Sequence, residues 1–553
     1  MVRTGSLTAV PTLRPHAVAP RPLDAAAAVI GLRPPPAGWA RVQLTGITHD
    51  SREVRPGDLY AALPGASDHG ARFADAAAHA GAAAILTDAD GEVPAQQSGL
   101  PVLVVPRPRA VLGKLAAWVY GAPAGDLLLI GVTGTNGKTT TAHLAEAGLR
   151  AAGHQTGLVG TVETRIGDAA TASVRTTPES TDLHALFAVM RERGVTAAVM
   201  EVSSHALAFG RVDGVVYDVA VFTNLSQDHL DFHQDMEGYF AAKRSLFTSQ
   251  RARHGVVNID DDYGRRLVAE SEIPVVTVSM SGRQKADWSG TDVALRAGEG
   301  ALTAIGPGGV SVPIQVGMPG RYNLENALLA VVALATAGIP VEQAAAGVGA
   351  CPGVPGRMER IDTGQPFLAV VDYAHTPDAI ATALATLREV TKGRLVAVVG
   401  CGGDRDRAKR PLMGEVGARG ADVLVITDDN PRSEDPAAIR AAALAGANRV
   451  PELERAELAE IGDRSAAIAF AARLAGPHDT VVILGKGHEQ GQETGGAVMP
   501  FDDRAVLRAR LTEMMSGDSA THARPGSMAA RGMGPGSSAQ ESRQEGSLRE
   551  EAP

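Results

Sequence analysis

Lys138 and Thr139 close a glycine-rich turn in the segment "GVTGTNGKTT" (131–140). Glycines let the backbone turn tightly, so several N–H groups can face one anion, and a following helix adds the positive end of its dipole. A lysine at this point can reach the β- and γ-phosphates of a nucleotide, and a hydroxyl beside it suits Mg2+. The candidate phosphate cradle is therefore Gly134, Thr135, Asn136, Gly137, Lys138, Thr139 and Thr140. Its spacing departs from the usual G-x(4)-G-K-[ST] pattern: Val132 stands at the first glycine position, leaving the shorter Gly134-x-x-Gly137-Lys138-Thr139. The bland alternative is a glycine-rich turn with a chance lysine. The apolar run "DLLLI" before the turn and the helical pattern after it argue for the phosphate loop.

Other chemistry-bearing residues follow. Glu201 ends the apolar run entering "MEVSSHAL" (200–207), where a carboxylate can hold Mg2+ on phosphates. "FTNLSQDHLDFH" (222–233) offers Asp228, His229, Asp231 and His233. Taken alone that cluster could equally be a solvated turn. Lys243 in "YFAAKRSLF" (239–247), taken alone, reads as a surface lysine on an amphipathic helix. In "TDDNPR" (427–432), two carboxylates, an amide, a proline and Arg432 follow the apolar run "VLVI". The ends of buried strands are where open α/β sheets bind ligands. The same stretch also reads as a capped turn before a helix, with Ser433 and Asp435 as caps.

These groups need elements to hold them. Apolar runs such as "AAVMEVS", "VAVFTNL", "FLAVVDYA", "RLVAVVG" and "TVVILGKG" alternate with helical segments near 377–390, 409–419 and 436–447. That alternation predicts an α/β protein with mostly parallel sheets. A chain of 553 residues is too long for one core. Three domains are expected, at 23–107, 108–353 and 354–515, between disordered tails at 1–22 and 516–553. The tails have too little apolar content to offset the entropy of ordering. A formal charge of −10 argues against nucleic-acid binding. The two cysteines, Cys351 and Cys401, cannot form a disulfide framework and fit a reducing cytoplasm. No apolar run approaches the ~18 residues of a membrane span, so no membrane insertion is expected.

Read in order, "GTNGKTT", "RTTPES", "MEVSSHAL", "TNLSQDHLDFH" and "AAKRSLF" resemble the Mur ligase family, which builds the peptide stem of bacterial cell-wall precursors. The resemblance covers nearly the whole chain outside the tails. "THDSREVRPGDLYAALPGASDHGARF" is similar to the uridine-nucleotide-binding domain of these enzymes. The implied architecture is a small uridine-nucleotide-binding α/β domain, a central P-loop-type ATPase domain with a mostly parallel sheet, and a C-terminal Rossmann-like domain. The implied catalytic set is Lys138, Glu201, His229 and Lys243. By the resemblance Lys243 becomes a CO2-derived carbamate (N6-carboxylysine) that binds Mg2+ with His229, while Thr139 and Glu201 hold another Mg2+. "GRYNLENALLA", "GVPGRMER" and "VVDYAHTPD" resemble ATP-side and domain-junction segments, which implicates Asn323, Arg357, Asp372 and His375.

Within the family, "DNPR" with "GCGGDRDRAKRP" and "GKGHE" resembles the member that adds diaminopimelate to UDP-N-acetylmuramoyl-L-alanyl-D-glutamate through an acyl phosphate. Diaminopimelate is an amino acid at both ends, and a guanidinium's planar fork suits its far carboxylate. The resemblance gives Arg432 that carboxylate, with Asp429, Asn430 and Pro431 in the same turn. Arg405, Gly485 and Glu489 would hold the remaining polar groups. It gives the muramoyl-dipeptide to Thr176, Thr177, Ser203 and Arg211, and the uridine end to Ser51. Phe209 departs from the pattern, standing where some members carry an amide. The expected partners are these small substrates and ATP, and a monomer is expected. A folylpolyglutamate synthase and a catalytically dead nucleotide sensor are the rivals. The uridine-type first block argues against the former, and intact Lys138, Glu201, His229 and Lys243 against the latter.

Overall fold

The computed structural model describes residues 13–32, 38–65, 68–296 and 298–521. Most of both expected tails, 1–12 and 522–553, lies outside the described residues. The described chain is built on three large sheets, of four, eleven and six strands. Their central parallel strands, such as 129–133, Ala197–Glu201, Leu395–Cys401 and Thr480–Leu484, are buried on both faces, so they read as continuous apolar runs rather than alternating ones.

The first sheet pairs Gly46–Thr48, Asp58–Ala61, Ala84–Thr87 and Val102–Val104 in parallel. Its core continues past the expected boundary at 107. The helix Pro108–Val119 sends Leu112, Leu115 and Val119 into the same cluster as Leu23, Leu44 and Ile47. The N-terminal boundary also moves. Within the expected tail 1–22, Arg14 pairs with Asp58 at 3.1 Å and Arg21–Pro22 pairs with Gln43–Leu44. At the other end, the helix Asp503–Thr521 runs beyond residue 515. It is held at its start by the fully buried Arg464–Asp503 pair, at 2.7 Å.

In the central sheet the strand Leu128–Thr133 lies between Ala197–Glu201 and Tyr217–Phe222, parallel to both. The connection after this strand runs to Thr156–Val159 on one side, and that after its neighbour Tyr217–Phe222 runs to Ala252–Asn258 on the other, so a crevice opens at their carboxyl ends. Beyond Trp288–Arg296 the sheet turns antiparallel through Glu299–Ile305 to the edge strand Ser311–Val316. That edge strand alternates exposed and buried residues and carries Pro313, which edge positions tolerate.

The third sheet runs parallel from Leu368–Asp372 through Thr480–Leu484, Leu395–Cys401 and Val423–Asp428 to Glu457–Glu460. The carboxyl ends of its middle strands carry "GKGHE", "GCGGDRDR" and "DNPR" side by side. Asp435 caps the helix Pro436–Ala447 by accepting from Ala437 N. Ser433 does not cap; its backbone N–H and hydroxyl donate to Asp404. Cys351 and Cys401 are free and buried. No helix among the described residues is long and apolar enough to cross a membrane.

Candidate active site

The strand Leu128–Thr133 delivers the chain into the loop, and the helix Lys138–Ala151 carries it away. Gly134 has φ 147° and Gly137 φ 87°. A Cβ on Gly134 would meet Thr223 Oγ1 at 1.9 Å, and one on Gly137 would meet Asn326 Oδ1 at 2.3 Å. Both glycines are therefore demanded by conformation and by space. The loop is braced from the neighbouring strand end: Thr135 N donates to Asn224 O at 2.9 Å and Asn136 N to Asn224 Oδ1 at 3.0 Å.

Lys138 folds back over its own loop, donating to Gly134 O at 2.9 Å and Thr135 O at 2.8 Å. Burial pushes its pKa below the ordinary lysine value, against the opposing pull of Glu201 and Asp228. Thr139 Oγ1 donates to Glu201 Oε2 at 3.0 Å. Glu201 is buried and also accepts from Thr161, from its N–H at 2.7 Å and its hydroxyl at 3.0 Å. Thr140 follows, buried, in the first turn of the helix.

Lys243 is not a surface lysine. Its helix, Met236–Arg244, buries Tyr239, Phe240 and Lys243 together. Its Nζ donates to Gly134 O at 2.7 Å and sits 4.6 Å from the centroid of the Tyr239 ring. Two lysine side chains thus converge on one carbonyl. Burial first, and then the charge of Lys138, hold the Lys243 pKa well below the ordinary value. His229 takes a left-handed backbone, φ 54°, and its ring lies 6.2 Å from that of Tyr239. His233 is 5.1 Å from the same ring, and Asp228 lies 3.3 Å from His229.

Thr139 and Glu201 present a hydroxyl and a carboxylate oxygen 3.0 Å apart. Oxygen donors of this kind suit Mg2+, which takes one or two protein ligands and completes its shell with water and phosphate. No group of three His, Cys, Asp or Glu able to hold a metal ion forms among the described residues.

The expected peptide-side residues surround the same strand end. Thr177 Oγ1 donates to Glu201 O at 2.8 Å, and Ser203 N donates to Thr177 Oγ1 at 3.2 Å. Thr176 and Thr161 pair through their hydroxyls at 3.1 Å. Arg211 lies 2.9 Å from Glu179, which Arg109 and Arg175 also reach. Against the cost of burial, the Arg211 and Arg109 guanidiniums hold the Glu179 carboxyl below its ordinary pKa. Phe209 stands between Arg109 and Arg211, whose guanidiniums lie 5.7 and 5.6 Å from its ring centroid. Ser51 is set apart, in the first domain's turn Ser51–Glu53. Two residues before it, His49 pairs with Thr181 of the central domain at 3.0 Å.

At the junction, Arg357 stacks 4.4 Å from the Tyr373 ring and donates to Thr139 Oγ1 at 3.4 Å. His375 holds the Tyr373 carbonyl at 2.9 Å. Asn323 and Asp372 are spent on backbone. Asn323 donates to Pro319 O at 2.7 Å, and the Asp372 oxygens accept from Met358 N at 2.7 Å and Ala374 N at 2.8 Å.

The "DNPR" turn meets "GKGHE" through a residue the motif reading did not single out. Lys486 is fully buried. Its Nζ donates to Asn430 Oδ1 at 2.9 Å and Glu489 Oε2 at 3.1 Å, and lies 3.8 Å from Asp429. Asn430 Nδ2 donates to the same Glu489 oxygen at 2.9 Å. Gly485 has φ 117°, and a Cβ there would press on Asp429 at 2.6 Å. Arg432 also takes a left-handed backbone, φ 53°, and donates to Gly403 O at 2.7 Å. The conformation is uncommon for arginine, and such strain concentrates at functional sites. Arg405 is exposed beside this turn, in the loop after Cys401, and donates to the Asp404 carbonyl at 3.5 Å.

Lys486→Met is expected to destabilise the third domain by about 3–5 kcal/mol, because it strands Asn430, Glu489 and Asp429 around a lost charge. Thermal unfolding checks this. A melting temperature equal to wild type would mean that Lys486 does not hold the turn.

A cavity of about 520 Å3 joins the two halves of the site. Thr161 lines it from the central domain, and Asn430, Glu489 and Glu493 line it from the third.

Three family models match the chain: "Mur ligase family, catalytic domain" over 43–120, "Mur ligase middle domain" over 132–334, and "Mur ligase, glutamate ligase domain" over 356–487. A protein of Streptomyces avermitilis called UDP-N-acetylmuramoyl-L-alanyl-D-glutamate–2,6-diaminopimelate ligase is 57% identical over 500 residues, spanning 90% of this chain and 98% of that one. The Corynebacterium glutamicum protein of the same name is 49% identical, over 86% and 93%. A solved structure bearing that name superposes with a TM-score of 0.65 at 31% identity, covering 90% of this chain and all of the other. A Mycobacterium tuberculosis folylpolyglutamate synthase, at 19% identity, 73% and 94% coverage and TM-score 0.54, shares the fold.

Proposed function

Because the chain belongs to the Mur ligase family, we infer that it is the ATP-dependent amide ligase that adds 2,6-diaminopimelate to UDP-N-acetylmuramoyl-L-alanyl-D-glutamate in peptidoglycan synthesis. The observation that carries the amino-acid choice is Arg432, held in a left-handed turn and paired with Glu493, a residue that lines the inter-domain cavity. A folylpolyglutamate-type reaction has only the shared fold in its favour.

The first step brings two anions together, the D-glutamyl γ-carboxylate and the γ-phosphate of ATP. Lys138 offsets their repulsion at the phosphate, and the loop N–H groups hold the chain of phosphates in line. When bound, Mg2+ supplies further positive charge there. Thr139 and Glu201 would hold one ion, and His229 with a carbamate on Lys243 would hold another. A carbamate forms only from a neutral amine attacking CO2, with release of a proton, and the surroundings of Lys243 hold its pKa well below the ordinary lysine value.

Thr176, Thr177, Ser203 and Arg211 are proposed to orient the dipeptide, with Ser51 at the uridine end. Asp429, Asn430, Pro431, Gly485, Glu489 and Arg405 would place the amino acid, so that one amine attacks the acyl phosphate. A tetrahedral intermediate then collapses with loss of phosphate. Closing the third domain over the cavity excludes water, which would otherwise hydrolyse the acyl phosphate. The soluble substrates favour a cytoplasmic enzyme, and a monomer is the state proposed for it.

Arg432→Ala tests the substrate reading. Losing a hydrogen bond to a charged group costs about 1.5–3 kcal/mol, or about ten- to a hundred-fold. The loss is expected in KM for diaminopimelate, with KM for ATP little changed and discrimination against lysine narrowed. Measured kcat/KM for diaminopimelate, lysine and ornithine decides it. An unchanged diaminopimelate-to-lysine ratio would make Arg432 a turn residue only.

A further inference from the structure

Arg432 does not stand alone. Its Nε lies 3.3 Å from Glu493 Oε2, and Glu493 lines the inter-domain cavity. We propose that Glu493 and Arg432 form one clamp for the non-reacting amino-acid head of the substrate, Glu493 taking its ammonium and Arg432 its carboxylate. The proposal deepens the functional reading above and rests on it.

The backbone builds the pair deliberately. Glu493 sits on the strand Gly491–Thr494, paired with Ala497–Pro500. Its N–H donates to Asn430 Oδ1 at 3.0 Å, and its carbonyl accepts from Arg432 N at 3.0 Å. Gly495 N returns a bond to Arg432 O at 2.6 Å. Both side chains are thus registered to the same turn. One Glu489 oxygen is shared by Lys486 and Asn430, whereas the Glu493 carboxylate is the one that meets Arg432. Glu493 remains partly exposed, at 39% of its side chain.

The electrostatics follow from the pairing. A guanidinium next to a carboxylate is the complement of an ammonium next to a carboxylate. A ligand bringing only a carboxylate to this end would set two anions around one guanidinium. A ligand bringing only an ammonium would set a cation against Arg432. Only a head carrying both groups satisfies both side chains, so the pair selects on two features at once.

The test compares diaminopimelate, 2-aminopimelate (which keeps both carboxylates and the attacking amine but lacks the second amine) and lysine. Each is coupled to the uridine muramoyl-dipeptide by the full-length wild type and by Glu493→Gln. The variant is expected to lose about tenfold or more in kcat/KM for diaminopimelate, mainly through KM, with 2-aminopimelate unchanged or improved. The preference for diaminopimelate over 2-aminopimelate therefore shrinks about tenfold, while KM for ATP and for the uridine substrate stays put. Equal losses on diaminopimelate and 2-aminopimelate would mean that Glu493 only steadies Arg432, and would overturn the proposal, as would no loss on either. A wild type that couples none of the three amino acids overturns the functional reading itself, and the clamp with it.

Discussion

Lys138→Ala is expected to form the amide about a thousandfold more slowly than wild type, with its thermal unfolding little changed. The rate loss follows from removing a fixed cation from the place where charge develops between attacking carboxylate and phosphate; one such preorganised group commonly contributes about 10²–10³-fold. The fold should survive because Lys138 bonds only to carbonyls of its own loop, Gly134 and Thr135. The loop itself is braced through Asn224, which the substitution leaves in place. The check is ADP release and amide formation alongside a thermal melt. A well-folded variant working within about tenfold of wild type would dismiss the nucleotide-site assignment.

Lys243→Ala should be comparably inactive, for a different reason, and should be partly rescued by small carboxylates. Acetate or formate can enter the space left by the side chain and restore an anion beside His229. Lys138→Ala offers no such rescue, since what it lacks is a cation. In wild type, 13C-labelled bicarbonate should give a carbamate resonance that is absent from the variant. The proximity of Lys138 works in favour of the modification: two ammonium groups on one carbonyl repel, whereas a carbamate beside an ammonium attracts. A wild type without the resonance, together with an active Lys243→Ala, would remove the carbamate from the mechanism.

The residues differ in how openly the sequence announced them. The phosphate loop was readable because its requirements are local: a strand, two glycines in conformations other residues resist, a lysine and a hydroxyl. Glu201 was readable as a carboxylate ending an apolar run. Lys243 was harder. By itself it suggested a surface lysine, yet Tyr239, Phe240 and Lys243 share the buried face of one helix. A lysine at an apolar helical position was the available signal. Lys486 was not readable as a tether, because the bond it makes joins strand ends 56 residues apart. Arg432 was legible by type, but its carboxylate neighbour Glu493 was not, since that contact depends on a hairpin folding back onto the turn. Domain edges were limited for a similar reason. Helix Pro108–Val119 could have served either neighbour, and only packing assigns it to the first core. The antiparallel extension through Ser311–Val316 is a meander without intervening helices, so the strand–helix alternation that marks the parallel sheets does not mark it.

Arg357 reaches from the domain junction to Thr139 Oγ1, the oxygen proposed for a metal ligand. A cation held by Thr139 and Glu201 would sit against that guanidinium, and two positive charges so placed would repel. Occupancy of the ATP site would then be coupled to the contact that ties the junction to the phosphate loop, and any bias on one would be returned on the other by the same factor. The junction would serve as a latch whose key is the charge that completes the ATP site.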